Sequence, residues 1–445
     1  MSWIDECLRL LLEELSDDTQ RATSQLLGCG QETVALLLSS IKTLKIHSQE
    51  SCKALDFLIN TSYEKMSSGA SGSCWPRLYT DASIIRSLAF LDRPSSRTAI
   101  ARLDRAIIIA GAAGEGRLDL ILTLIRRIQT EYLTYTHDPS AKFTTPQMDI
   151  APDPCLLNSS LESSFHDIPV LDTPPTFTTF QTTFSKHPFV LRNYANSWPA
   201  INEHPWSSAA YLRSIAGPAR IVPVEVGADY RSDDWTQQFM NWDEFLSTLE
   251  LVDNDHSITA EKVHYLAQHN LLMQFDLSRD IIIPDYVYTC PSPPSDYPQY
   301  KPPGNDEQLV INGWLGPGGT ISPAHTDPYF NLYVQVVGRK TVWLAPPSVN
   351  KCMYAFGDGD AQSVHEFSNP ASNKVSPSMS NTSRVDVFAT VKDGEQRSRF
   401  PEFWSNVVPH AISATLGPGD MLFIPPGWWH AMRAEETSLS VSMWF

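Results

Sequence analysis

Basic charge is scarce in this chain. Its 33 Lys and Arg face 50 Asp and Glu, a formal net charge of -17. A phosphate backbone needs a cationic face, so direct nucleic-acid binding is not expected, and a basic partner suits the chain better. Paired cysteines are also missing. The seven Cys (positions 7, 29, 52, 74, 155, 290 and 352) never form C-x-x-C, which excludes a zinc finger and a disulfide scaffold and points to a reducing compartment, nucleus or cytoplasm. No run of ~20 apolar residues is present to span a bilayer, and Met1–Glu6 shows no basic stretch leading into an apolar one, so neither a membrane segment nor a secretory leader is expected. Neither H-E-x-x-H nor a nucleophile elbow occurs, which argues against an endopeptidase.

Apolar material is plentiful. Hydrophobic residues make up 42% and aromatic residues 10%, with 12 Trp, enough for a large core. The length of 445 residues predicts about two to three domains. Residues 1–136 read as a helical domain: Leu8, Leu11, Leu12 and Leu15 recur at helical spacing, as do Leu118, Ile121, Leu122, Leu124, Ile125 and Ile128. Residues 137–166, with Asp138-Pro139 and Pro152-Asp153-Pro154, read as a linker. Residues 167–445 turn mixed and then mostly β, with Leu332–Val337 as a strand and Gly338-Arg339 as a hairpin turn. Two insertions, Pro291–Asp306 and roughly Gly357–Pro401, read as mobile loops.

The chemistry concentrates in Gly319–Pro328. His325 and Asp327 stand two apart on an extended segment and so point to one face, where an imidazole and a carboxylate can grip one cation. His430, after the Pro425-Pro426-Gly427 turn, is the candidate third ligand. Two His and one carboxylate make the facial triad of non-haem iron oxygenases; the same donors suit Mn or Zn, and an isolated H-x-D is more often an ordinary strand pair. Lys340 tips the balance. A Lys carried into an apolar barrel is costly unless it meets an anion, such as the far carboxylate of a metal-chelating keto-diacid; its alternative is a surface position.

These segments together resemble the jumonji-C family of Fe(II)- and 2-oxoglutarate-dependent oxygenases over about Pro169 to Phe445. The residues that carry the resemblance are Pro188–Leu191 with Trp198-Pro199-Ala200, Val222–Gly227 with Trp235, Tyr265–His269, Ile283-Pro284-Asp285-Tyr286, Asn312–Pro317, Gly319–Pro328, Gln335–Lys340 and Ser440–Trp444. The resemblance implies an α+β protein: a double-stranded β-helix, the cupin-like jumonji-C barrel, with flanking helices, preceded by the all-α N-terminal domain. It implies Fe(II) on His325, Asp327 and His430, with O2 and 2-oxoglutarate as cosubstrates, and 2-oxoglutarate contacts from Tyr265, Ser322, Asn331, Lys340 and Trp444. It further implies that Glu225, Trp235, Gln268 and Trp314 line a substrate pocket. The turn before His430 and the insertion ahead of it depart from the pattern, which leaves substrate identity more open than metal binding.

A carboxylate beside indole faces suits a guanidinium. The expected activity is hydroxylation of an arginine side chain in a basic protein or peptide, by a monomer, with release of succinate and CO2. Histone N-methyl-lysine demethylation is the alternative on the same centre, and a non-catalytic interaction protein with a vestigial barrel is the third reading.

Overall fold

The computed structural model describes residues 2–17, 25–44, 48–69, 72, 74–136, 143, 161–227, 229–232, 234–254, 262–356, 379–389 and 394–445. The chain divides into two compact units. One comprises Met1–Ala141, Leu212–Pro223 and Phe239–Phe245; the other comprises Lys142–Tyr211, Val224–Gln238 and Leu246–Phe445.

The first unit is built on helices α1 (Trp3–Ser16), α2 (Gln31–Thr43), α3 (Ser48–Ser67), α4 (Cys74–Leu88), α5 (Ser96–Ala110) and α6 (Arg117–Leu133). A capping box starts α1: the Ser2 hydroxyl accepts from the Asp5 N–H at 3.2 Å, and the Asp5 carboxylate accepts from the Ser2 N–H at 3.4 Å. The helical spacing then buries Leu8, Leu11 and Leu15 on α1 and Ile121, Leu124, Ile125 and Ile128 on α6. Each such side chain contributes roughly 1.5–3 kcal/mol when fully buried. Two buried carboxylates organise the helices. Asp81 takes the Arg77 and Arg117 guanidinium groups, both at 2.6 Å. Asp104 takes Arg220 at 2.8 Å and the Ile221 N–H at 2.9 Å. The pairing of Asp104 explains why a short segment beyond residue 141 belongs to this unit, which sequence periodicity could not reveal.

The described strands form two sheets. One runs β1 (His166–Asp167), β10 (Ile412–Leu416), β9 (Lys340–Ala345), β12 (Trp429–Ala434) and β7 (Ile321–Thr326). The other runs β2 (Phe189–Leu191), β11 (Met421–Ile424), β8 (Asn331–Val337), β13 (Ser438–Trp444), β6 (Val310–Gly316), β5 (His264–His269), β3 (Ile221–Val226) and β4 (Thr236–Asn241). Alternation along β9 sorts its side chains. Val342 and Leu344 join Met432 from their own sheet and Tyr333, Leu422 and Ile424 from the other in one cluster between the sheets. Trp343 and Ala345 point the other way, onto Trp429, Ala431, Phe400 and Phe403. This is the double-stranded β-helix with flanking helices.

Three expectations need correction. Gly338-Arg339 does not close a hairpin, because β8 and β9 lie in different sheets; the turn is the corner where the chain crosses between them, and Gly338 takes φ 69° there. Pro291–Asp306 is not a free loop: the Tyr297 ring packs on Gly427, and Tyr300 sits edge-on to Phe330 at 4.7 Å. In the second insertion, residues 357–378 and 390–393 lie outside the described residues, but 379–389 run alongside β7, with the Ser383 N–H donating to the Ala324 carbonyl at 2.8 Å and the Thr326 N–H to that of Asn381 at 3.1 Å. Most of 137–166 also lies outside the described residues; its last residue, His166, begins β1 and pairs with Ile412.

Candidate functional site

β7 and β12 are antiparallel neighbours with His325 directly opposite His430. Their rings stand 4.2 Å apart. Asp327, just past β7, lies 3.9 Å from His325 Nε2 and 3.4 Å from His430 Nε2. One donor atom from each of the three falls within 4.8 Å of the others. Both imidazoles are locked by backbone: His325 Nδ1 lies 2.8 Å from the Pro323 carbonyl oxygen and His430 Nδ1 3.0 Å from that of Trp428. Donation from Nδ1 leaves both Nε2 lone pairs facing Asp327, the arrangement of a metal-ligating histidine.

Titration behaviour agrees with the burial. Desolvation and the neighbouring His430 lower His325 to about 4. Burial pulls His430 down as well, but its hydrogen bond with Asp327 and that carboxylate's charge leave it raised. Asp327 is lowered: burial pushes it up, and the two imidazoles outweigh this.

Across the barrel interior, Lys340 is 2% exposed. Its ammonium donates to Tyr333 at 3.0 Å and Tyr265 at 3.4 Å, and no carboxylate faces it among the described residues. Burial alone lowers it to about 7. Burial raises the Tyr265 phenol, and the neighbouring Ser322 side chain partly opposes this. Ser322 and His325 share a face despite their odd spacing because one residue of β12, Ala431, opposes two of β7, Pro323 and Ala324, a bulge at this point. Asn331 and Trp444 are directly opposite on β8 and β13, and each buries a polar atom without a partner among the described residues, Asn331 Oδ1 and Trp444 Nε1. A buried unpaired cation beside orphaned polar atoms is costly in an empty protein and suits an anionic, hydrogen-bonding guest. The donor set therefore fits a divalent ion, and the Lys340 surroundings fit a dicarboxylate.

Glu225 faces Tyr265 across β3 and β5, and its carboxylate accepts from Trp235 Nε1 at 3.3 Å. Burial raises its pKa. Gly227, at φ 133°, lets the chain pass close under Trp235. Trp314 stacks obliquely on Tyr265 at 6.3 Å and donates to Ser442 at 2.9 Å. Gln268 makes no hydrogen bond to this group: it is exposed, at φ 49° in a β5 bulge, with no hydrogen-bond partner among the described residues.

Four residues escaped sequence reasoning. Tyr333 shares the face of Asn331 two places on, so strand alternation offered a signal. Asn312, opposite Ser442, buries an Nδ2 with no partner among the described residues. Tyr230 and Thr382 approach at 3.5 Å beside the triad, and burial raises Tyr230 to about 12. Asn312 opens a segment that carries the family resemblance but was given no role, and nothing in the local sequence marked Tyr230 or Thr382.

A cupin-like domain model matches residues 175–445. Lysine-specific demethylase 8 of Danio rerio is 30% identical over 431 residues, covering 92% of this chain and 93% of that protein. The chain belongs to the jumonji-C family. Jumonji C domain-containing protein 5 of Drosophila melanogaster is 36% identical over 302 residues, 67% of this chain and 64% of its own length. Lysine-specific demethylase 8 of Xenopus tropicalis is 32% identical over 311 residues, 67% and 59% respectively. Jumonji-C enzymes are 2-oxoglutarate-dependent dioxygenases that use Fe(II), and this chain is classed with them. No described helix is long and apolar enough to cross a membrane.

Proposed function

We propose that this enzyme hydroxylates an arginine side chain of a basic protein. Glu225 carries the reading: a half-buried carboxylate with no cationic partner among the described residues, hydrogen-bonded to one indole, Trp235. A guanidinium between Glu225 and the Trp235 and Trp314 faces gains an ion pair and cation–π contact together. Gln268 is assigned to the rim of the same pocket.

His325, Asp327 and His430 are the proposed Fe(II) ligands. Tyr265, Ser322, Asn331, Lys340 and Trp444 are the proposed 2-oxoglutarate contacts, with Lys340 on the distal carboxylate and Tyr265 and Ser322 offering hydroxyls. When bound, iron with 2-oxoglutarate and O2 supplies the oxidising power, yielding succinate, CO2 and one oxygen atom for a substrate C–H bond. The chain's own work is positional. The Pro323 and Trp428 carbonyls orient the imidazoles, Lys340 fixes one end of the keto-diacid, and the apolar cluster around Val342, Leu344 and Met432 excludes water.

Residues 1–136 are proposed as a helical N-terminal domain, 137–166 as a linker and 167–445 as the catalytic domain, acting in nucleus or cytoplasm as a monomer. Incubation with arginine peptides tests the activity: one oxygen atom is gained only when O2, Fe(II) and 2-oxoglutarate are all supplied, and no turnover across a broad arginine-peptide library refutes it. The names of two relatives favour a second reading, lysine demethylation. Formaldehyde release from methylated histone peptides separates the two. A vestigial barrel is disfavoured by the complete ligand set together with Lys340.

A further inference from the structure

Two motifs marked in the sequence, Trp198-Pro199-Ala200 and Ile283-Pro284-Asp285-Tyr286, take no part in the site above. They meet instead around a surface cavity of about 330 Å³ in the second unit. Trp198, buried, is among its lining residues, and the Tyr286 ring is held in place by its hydroxyl, which donates to the Pro175 carbonyl at 2.6 Å, and by Phe180 at 4.6 Å. Phe177 and Ile282, 46% and 53% exposed, leave apolar surface open beside it. Tyr194 is half-buried and lines the same space. Asp285 is the one acidic group among the lining residues; it is exposed, and no hydrogen-bond or ion-pair partner faces it among the described residues.

We propose that this cavity docks a cationic side chain of a basic polypeptide, at a place separate from the metal centre. The chemistry is that of a cation receptor: one free carboxylate within a wall of aromatic rings, whose faces attract an ammonium or guanidinium. Asp285 is close enough to act on two of the rings, since its charge adds to burial in raising both the Tyr194 and Tyr286 phenols. The volume accepts an arginine or lysine side chain but not a folded element. Charge at longer range points the same way. Residues 1–141 hold 17 acidic and 15 basic side chains, and the remainder holds 33 and 18, so nearly all the negative excess lies with the part of the chain that carries the cavity. Such a field draws basic segments toward it and repels acidic ones. An anion would meet Asp285 unfavourably, and a purely apolar guest would leave that carboxylate desolvated and unpaired.

Full-length Glu225→Gln protein, free of metal and 2-oxoglutarate, removes the other carboxylate that a basic peptide would seek. Fluorescence anisotropy is read with a fluorescein-labelled Ala-Arg-Pro-Arg-Ala peptide and its Ala-Glu-Pro-Glu-Ala twin. The arginine peptide binds and the glutamate twin does not; adding Asp285→Asn weakens binding about tenfold, Tyr194→Ala does the same, and raising the salt concentration weakens the parent complex. Asp285 is exposed, so its neutral isostere keeps the fold, and unchanged circular dichroism checks this. The proposal is overturned if Asp285→Asn leaves Kd within twofold, if both peptides bind alike, or if Glu225→Gln alone abolishes binding. Because no turnover is read, failure of the hydroxylase assignment leaves this outcome independent.

Discussion

Replacing Lys340 with Met should make the empty enzyme more stable and the enzyme unable to hold its cosubstrate. The ammonium is buried with two phenols for company, and burial lowers it from 10.5 to about 7. The unfolded chain therefore takes up a proton that the empty fold resists. Between pH 7 and 10.5 the unfolded state binds more protons, so stability rises with pH across that window; above 10.5 the penalty is absent, and below 7 it is complete. At pH 7 the difference is worth about 4 kcal/mol as an upper bound, at ~1.36 kcal/mol per pH unit, and the hydrogen bonds to the two phenols and water penetration reduce it to about 2 kcal/mol. Met is close in volume and leaves no cation to desolvate. Urea unfolding of the metal-free proteins should place Lys340→Met above the parent. A carboxylate on Lys340 reverses the balance, so 2-oxoglutarate binding takes up a proton above pH 7, and its affinity falls by up to tenfold per pH unit from there. Calorimetry in two buffers of different ionisation enthalpy measures that uptake. Lower stability of Lys340→Met, or an affinity flat from pH 6 to 9, would refute the reasoning.

Gly427→Ala puts a methyl group into the Tyr297 ring at φ 77° and disturbs the N–H that donates to the Asp327 carbonyl at 2.9 Å, so cobalt affinity should drop about tenfold, with a loss of 1–3 kcal/mol in thermal unfolding. Asp104→Ala strands the Arg220 guanidinium, 4% exposed, and should cost about 3–5 kcal/mol in denaturant unfolding, whereas an exposed pair such as Arg127–Glu131 should cost under 1 kcal/mol. Glu225→Gln should lower kcat/KM on arginine peptides about 100-fold and leave 2-oxoglutarate affinity unchanged; equal loss of both would place Glu225 in the cosubstrate site instead.

The convergence of His325, Asp327 and His430, the proposed metal ligands, was legible because each sits in a segment with strong local rules. The spacing of His325 and Asp327 is a strand period, and His430 follows a Pro-Pro-Gly turn that leaves the next strand a single place to begin. Lys340 was legible as a charge where the pattern is apolar. The crossing at Gly338-Arg339 was misread because a two-residue turn between strands looks the same whether they pair or part to opposite sheets. The bulges that turn Ser322 inward and expose Gln268 add one residue to a strand, and no residue type announces that. Tyr297 packing on Gly427 is a contact between segments 130 residues apart, fixed by tertiary packing alone.

Three side chains holding one ion opposite a lysine is the claim on which the rest depends. Anomalous diffraction from crystals grown with Mn(II) and N-oxalylglycine tests it most directly. The expected map has one manganese peak bonded to Nε2 of His325, Nε2 of His430 and the Asp327 carboxylate, with the far carboxylate of the analogue on the Lys340 ammonium. A manganese peak elsewhere, or an analogue whose far end turns away from Lys340, would contradict it.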